Sequence, residues 1–158
     1  MNSDTNNNAT TNTNNISDDT IKLLRECDAG IKMGIEAIDE VLNNVAEYKL
    51  KEILNNSKDV HEQLQDKATE LLHEYNDEGK NPNPMAKGMS WMKTNMKMMM
   101  DTSDHTVADL IVDGCNMGVK SLYRYMNQYK DANEKAKRLA KDVIKEEEKL
   151  AESMRDWL

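Results

Sequence analysis

Phenylalanine is absent from this chain, and two tryptophans and five tyrosines bring the aromatic content to only 4%. A core built from such a sequence cannot rest on aromatic rings and must be aliphatic and methionine-based. Cysteine occurs twice, once in each half, which makes no disulfide framework. No stretch approaches the ~20 apolar residues of a membrane span. The opening MNSDTNNNATTNTNN holds no Lys, no Arg and no apolar run, so it reads as neither a secretory signal nor a transit peptide. Positive charge is also short: 21 Lys and Arg against 29 Asp and Glu leave a net −8, with a pI near 4.9. That balance lacks the basic footprint of nucleic-acid binding and is ill suited to anionic membranes. The expectation is a protein of a reducing compartment, the cytoplasm, with no nucleic-acid partner and no membrane span.

What remains is rich in Lys, Glu, Leu, Met and Ala, a helical composition, and 158 residues is the size of one domain. Residues 1–16 are Asn/Thr-rich and carry too little apolar surface to offset ordering entropy, so they read as a disordered tail. Residues 17–158 read as a helical bundle domain. Helix A is expected over about 18–45, with Leu24, Cys27, Ile31, Gly34, Ile38, Val41 and Val45 recurring at steps of three and four. Helix B is expected over about 48–76, on a seam through Leu50, Ile53, Ser57, Val60 or His61, Leu64, Ala68, Leu71 and Tyr75. Gly79, Pro82 and Pro84 then interrupt. A shorter helix, about 85–101, places Met85, Met89, Met92, Met96 and Met99 on one face. Helix C is expected over about 104–129, and helix D over about 132–157 behind a capping box from Asp131 to Glu134.

Two stretches repeat a signature. GIKMGIEAI begins at Gly30 and GCNMGVKSL at Gly114, and KDV occurs at both Lys58 and Lys141. Hairpin A–B thus echoes hairpin C–D, and two hairpins related by a pseudo-twofold bury what neither buries alone. Gly30, Gly34, Gly114 and Gly118 each cost about 1 kcal/mol relative to Ala inside a helix. Close approach of helices A and C is the expected compensation; room for a ligand in the groove is the alternative.

The ordered set formed by DAGIKMG from Asp28, VDGCNMG from Val112 and Pro84–Met92 resembles the ferritin-like superfamily. It is most similar to small uncharacterised bacterial proteins of the kind found in Firmicutes, over about residues 18–157. The resemblance implies an all-α, ferritin-like four-helix bundle with an extra Met-rich crossover helix. Di-iron members of such folds place a Glu on each of two helices and Glu-x-x-His on the other two. Here Ile31 and Cys115 follow the glycines, Glu70-Leu71-Leu72-His73 points away from the seam, and helix D has no His. A standard di-iron centre is therefore not expected.

One layer carries an alternative. Counting from the hairpin turns sets His61, Cys115 and Glu147 near mid-bundle, where imidazole, thiolate and carboxylate can hold a transition metal such as iron, manganese or zinc. The competing reading is a satisfied polar pair beside a small core cysteine. Glu146 and Glu148 read as solvated, and His105 has no identified partner. The Met face reads as core packing, with a partner groove or soft Cu(I) ligation as alternatives. Tyr123, Tyr125 and Tyr129 read as capping a bundle end, with a protomer contact as the alternative. The sequence thus points to a non-enzymatic structural or interaction protein with no cofactor, associating with itself or with a protein partner. The alternative is a metal-binding bundle with a storage or redox role.

Overall fold

The computed structural model describes residues 7–82 and 103–158, of which 7–15 are described as backbone alone. Among these the chain is all-helical: α1 Asn7–Leu42, α2 Tyr48–His73, α3 Asp104–Gln128 and α4 Glu134–Ser153, followed by a 3-10 turn at Arg155–Trp157. The methionine face expected over 85–101 lies outside the described residues.

α1 packs on α2 and α3 on α4. The two hairpins meet through α2 against α4 and α1 against α3, and α1 also reaches across to α4. Hydrogen bonds fix the directions. At one end the Asn133 amide donates to Thr20 Oγ1 (2.9 Å) and Asn133 Nδ2 donates to the Tyr75 hydroxyl (2.9 Å). The start of α1, the end of α2 and the α3–α4 turn therefore share that end. At the other end the Asp104 carboxylate accepts from the Ala46 and Glu47 amides at 2.8 and 2.9 Å. There, too, His105 Nδ1 donates to the Trp157 carbonyl oxygen (2.9 Å), which supplies the partner that the sequence left unassigned. Helices α2 and α3 consequently run parallel, and the connection between them must travel the length of the bundle.

Its first residues are pinned to α1. Asn76 and Gly79 turn the chain at φ 55° and 86°. The Arg25 guanidinium binds Asp77 and holds its carboxyl below the ordinary range. The buried Asp28 carboxylate accepts from the Lys80 amide (2.9 Å) and the Lys32 ammonium (2.7 Å).

Several boundaries differ from expectation, and α1 and α2 already end at Leu42 and His73 rather than near 45 and 76. α1 begins at Asn7, not at 18, and so runs through the Asn/Thr-rich stretch read as a tail. Residues 7–16 contain no Gly or Pro, and Asn and Thr cost at most about 0.7 kcal/mol each relative to Ala. A helix nucleated by its packed turns can propagate through them. α4 is capped by Asn133, whose Oδ1 accepts from the Ala136 amide (2.9 Å), and not by Asp131, whose own amide is bound by Asp19. α4 also stops at Ser153, short of 157.

The core has two apolar lobes. One gathers Leu23, Leu24, Ile31, Leu72, Leu139 and Val143 near the start of α1. The other gathers Ile38, Val41, Leu50, Leu54, Ile111 and Met154 near its end. Tyr125 and Tyr129 stack at 6.2 Å beside the first lobe, while Tyr123 remains half-exposed. The two lobes are separated by a polar layer.

Candidate functional site

That layer is supplied by all four helices. α2 contributes Ser57 and His61, one turn apart on a face that is otherwise Leu and Ala. α4 contributes Glu146 and Glu147, both buried. Two successive helical residues bury together because α4 packs between α2, α3 and α1, which widens its inward face. α3 brings Cys115 and Gly118, and α1 brings Gly34 directly beneath the imidazole.

His61 is 1% exposed. Its Nδ1 lies 2.8 Å from the Ser57 carbonyl oxygen, which can only accept, so Nδ1 carries a hydrogen. Its Nε2 faces Glu147 Oε1 at 3.3 Å. Burial pushes the His61 pKa down, but the bond and charge of Glu147, the Ser57 carbonyl and Glu146 outweigh it, and the net shift is upward from 6.5. The upward shift favours the imidazolium, the form in which the ring donates on both sides. Ser57 Oγ in turn donates to Glu146 Oε1 at 2.7 Å.

A raised folded-state pKa has a definite sign in stability. The His61 contribution is complete below the unfolded value of about 6.5 and is lost as pH rises through the folded value. We therefore expect the wild-type urea midpoint to fall from pH 6 into the alkaline range more steeply than that of a His61→Gln variant, which cannot titrate there.

Cys115 meets the same layer from α3. Burial, then the charge and hydrogen bond of Glu147, push its thiol far up. Burial pushes Cys27 up to about 12. Both are thiols at neutral pH, and neither is a nucleophile. An aromatic disulfide reagent at pH 8 is expected to titrate no cysteine in the native chain and both after denaturation; rapid native reaction at one site would overturn the burial.

The residues expected to form a metal layer therefore do come together, with Glu147 touching both His61 and Cys115. Among the described residues, however, no group of three or more His, Cys, Asp or Glu side chains is arranged to hold a metal ion. Glu70 and His73 are exposed on α2. The position after the first glycine holds Ile31, 0% exposed in an apolar lobe.

An added methyl shows what Gly30, Gly34 and Gly118 face. A methyl group on Gly30 would meet nothing within 4 Å, one on Gly34 would lie 2.8 Å from His61 Cδ2, and one on Gly118 would sit 3.6 Å from Glu147 Cδ. Gly34 and Gly118 make room for side chains of the partner helix in each hairpin. Between α1 and α3 there is an open cavity of about 310 Å³. Gly30, Gly34, Gly114 and Gly118 line it, Met33 and Met117 flank it, and His61 and Glu147 form its floor. The room expected only as the alternative is what these glycines border.

Sequence reasoning also missed Glu146, placed on the solvated face but 7% exposed, and Asp28, 2% exposed. Ser57 and His61 at i and i+4 within an apolar seam were the available sign that polar groups on a neighbouring helix must answer them.

No family model, curated protein or solved structure matches this chain.

Proposed function

We propose that the chain is a ferritin-like bundle acting as a non-enzymatic structural or interaction protein, without a standard di-iron centre. The fold-level support is the parallel α2 and α3 joined by a full-length crossover, a connection used by ferritin-like bundles. The observation that carries the functional reading is the state of His61. As an imidazolium, the form its environment favours, the ring donates to a carbonyl and to a carboxylate and offers no lone pair to a metal. The thiol beside it is held protonated, so nucleophilic catalysis lacks its nucleophile. Among the described residues no helix is long and apolar enough to cross a membrane.

One observation favours a second reading, a metal-binding bundle. Glu147 touches both His61 and Cys115 beneath a groove, and a metal that displaced the imidazole and thiol protons would find three ligand types there. Elemental analysis of gel-filtered, untagged protein separates the two. The first reading expects substoichiometric iron, manganese, zinc and copper. Near-stoichiometric metal that is lost in a His61→Ala/Cys115→Ser variant would replace it with the second. Light scattering on the same peak tests self-association.

A further inference from the structure

We infer that the groove between α1 and α3 binds a small aryl-alkyl primary amine, its ammonium hydrogen-bonded to Glu147 and its ring packed against the methionine-flanked walls. Such binding rests on the non-enzymatic interaction reading and gives it a ligand class. Elemental analysis and light scattering test that reading apart from any amine, so either can fail alone.

Three observations select this ligand. The first is that two glycines open Glu147 to the groove. A methyl group on Gly34 would lie 3.7 Å from Glu147 Oε1, and one on Gly118 would lie 3.6 Å from the same atom. Both positions line the groove. With glycine at each, the space over Oε1 is left clear on those two sides. His61 Nε2 reaches this oxygen at 3.3 Å, and the Cys115 thiol also bonds the carboxylate. A carboxylate offers about four acceptor sites, so capacity remains for a donor arriving from the groove.

The second is charge. Glu146 and Glu147 set two buried carboxyl groups against one imidazole. Among the described residues that line the groove, Lys80 is the only lysine or arginine, and Glu26, which also lines it, binds its ammonium at 2.7 Å. The lining thus attracts a cation and repels an anion, in a chain of net charge −8. A ligand ammonium supplies positive charge together with N–H donors for Glu147.

The third is the size and chemistry of the walls. The groove holds about 310 Å³, roughly twice the ~150 Å³ apolar cavity that takes up benzene. That is room for one ring and a short chain. Ile38, Ile111 and Leu122 give aliphatic wall, with Met33 and Met117 on the flanks. Thioether sulfur contacts aromatic rings favourably, and its flexible chain adapts to them. Burial of the ring offsets the desolvation of the ammonium.

The test titrates 2-phenylethylamine into the gel-filtered, chelator-treated full chain, followed by calorimetry and by the ¹³C-labelled methionine methyls. One saturable site per chain is expected, with shifts at the Met33 and Met117 methyls. Phenylacetate, the same body with the opposite charge, is expected not to bind, and 2-phenylethanol to bind at least tenfold more weakly. No saturable binding at millimolar probe, or equal affinity for all three, would overturn the inference. A methyl group on Gly30 would meet nothing within 4 Å, so a Gly30→Leu variant can keep the fold while its side chain takes up groove volume. Its affinity for the amine is expected to fall at least tenfold with helicity unchanged. Undiminished affinity in that folded variant would place the amine elsewhere on the acidic surface and overturn the site. Glu147→Gln keeps the volume and removes the charge, and is expected to weaken the amine at least tenfold while leaving 2-phenylethanol unchanged. Equal amine affinity in folded Glu147→Gln would overturn the role of the carboxylate.

Discussion

Replacing His61 by leucine is expected to destabilise the chain by about 3–5 kcal/mol at pH 7, the usual cost of removing one partner from a buried ion pair. The reason lies in what remains. Glu146 and Glu147 are adjacent and buried, and the imidazolium is the positive group that answers Glu147. Without it a carboxylate is left in an apolar layer with no cation and with a second carboxylate beside it. The size of the effect separates this pair from the surface ion pairs of the fold, such as Lys22–Asp18 and Lys135–Glu74, which water screens. Adding Glu147→Met to His61→Leu is expected to return most of the loss, because an apolar layer closed by residues of similar volume leaves nothing unpaired. Urea denaturation followed by circular dichroism reads both steps, provided the slope is unchanged between variants. A single variant within about 1 kcal/mol of wild type would mean that the pair is not buried as described.

Much of the fold was legible because helical periodicity is a direct consequence of burial on one face. Leu24, Cys27, Ile31, Gly34, Ile38, Val41 and Val45 were read as one seam, and all but Gly34 are buried. The mid-bundle level of His61, Cys115 and Glu147 could be counted from the hairpin turns, since antiparallel helices advance equally from a shared turn. Less was legible where the answer depends on a third element. Glu146 looks solvated on an isolated α4, and is buried where α2 packs on it and Ser57 donates to its carboxylate. The glycines looked like contact points between α1 and α3, whereas Gly34 answers the bulk of His61 and Gly118 that of Glu147. A glycine in a sequence reports that space is needed and says nothing of which neighbour needs it. The Asn133 cap was displaced from the expected site for a similar reason, because Asp19 on a distant helix had claimed the Asp131 amide.

The same contact yields the second large effect. Gly34→Ala is expected to destabilise by about 2–4 kcal/mol, although alanine in a helix interior ordinarily gains about 1 kcal/mol over glycine. Its Cβ would lie 2.8 Å from His61 Cδ2 and 2.9 Å from His61 Nε2. The ring has nowhere to retreat without loss, since it is bound to the Ser57 carbonyl on one side and to Glu147 on the other. Either the helices separate or the ion pair opens. Gly118→Ala is the control, because its Cβ would rest 3.6 Å from Glu147 Cδ, an ordinary contact, and it is expected to be neutral or to stabilise by up to about 1 kcal/mol. The decisive comparison is a double-mutant cycle with His61→Ala. Once the ring is gone the steric cost at position 34 goes with it, and the helix preference for alanine is all that remains. Gly34→Ala should then change sign and become stabilising. If the cost persisted in the His61→Ala background, the glycine would be answering some neighbour other than the imidazole, and the polar layer would have to be assigned a different organising contact.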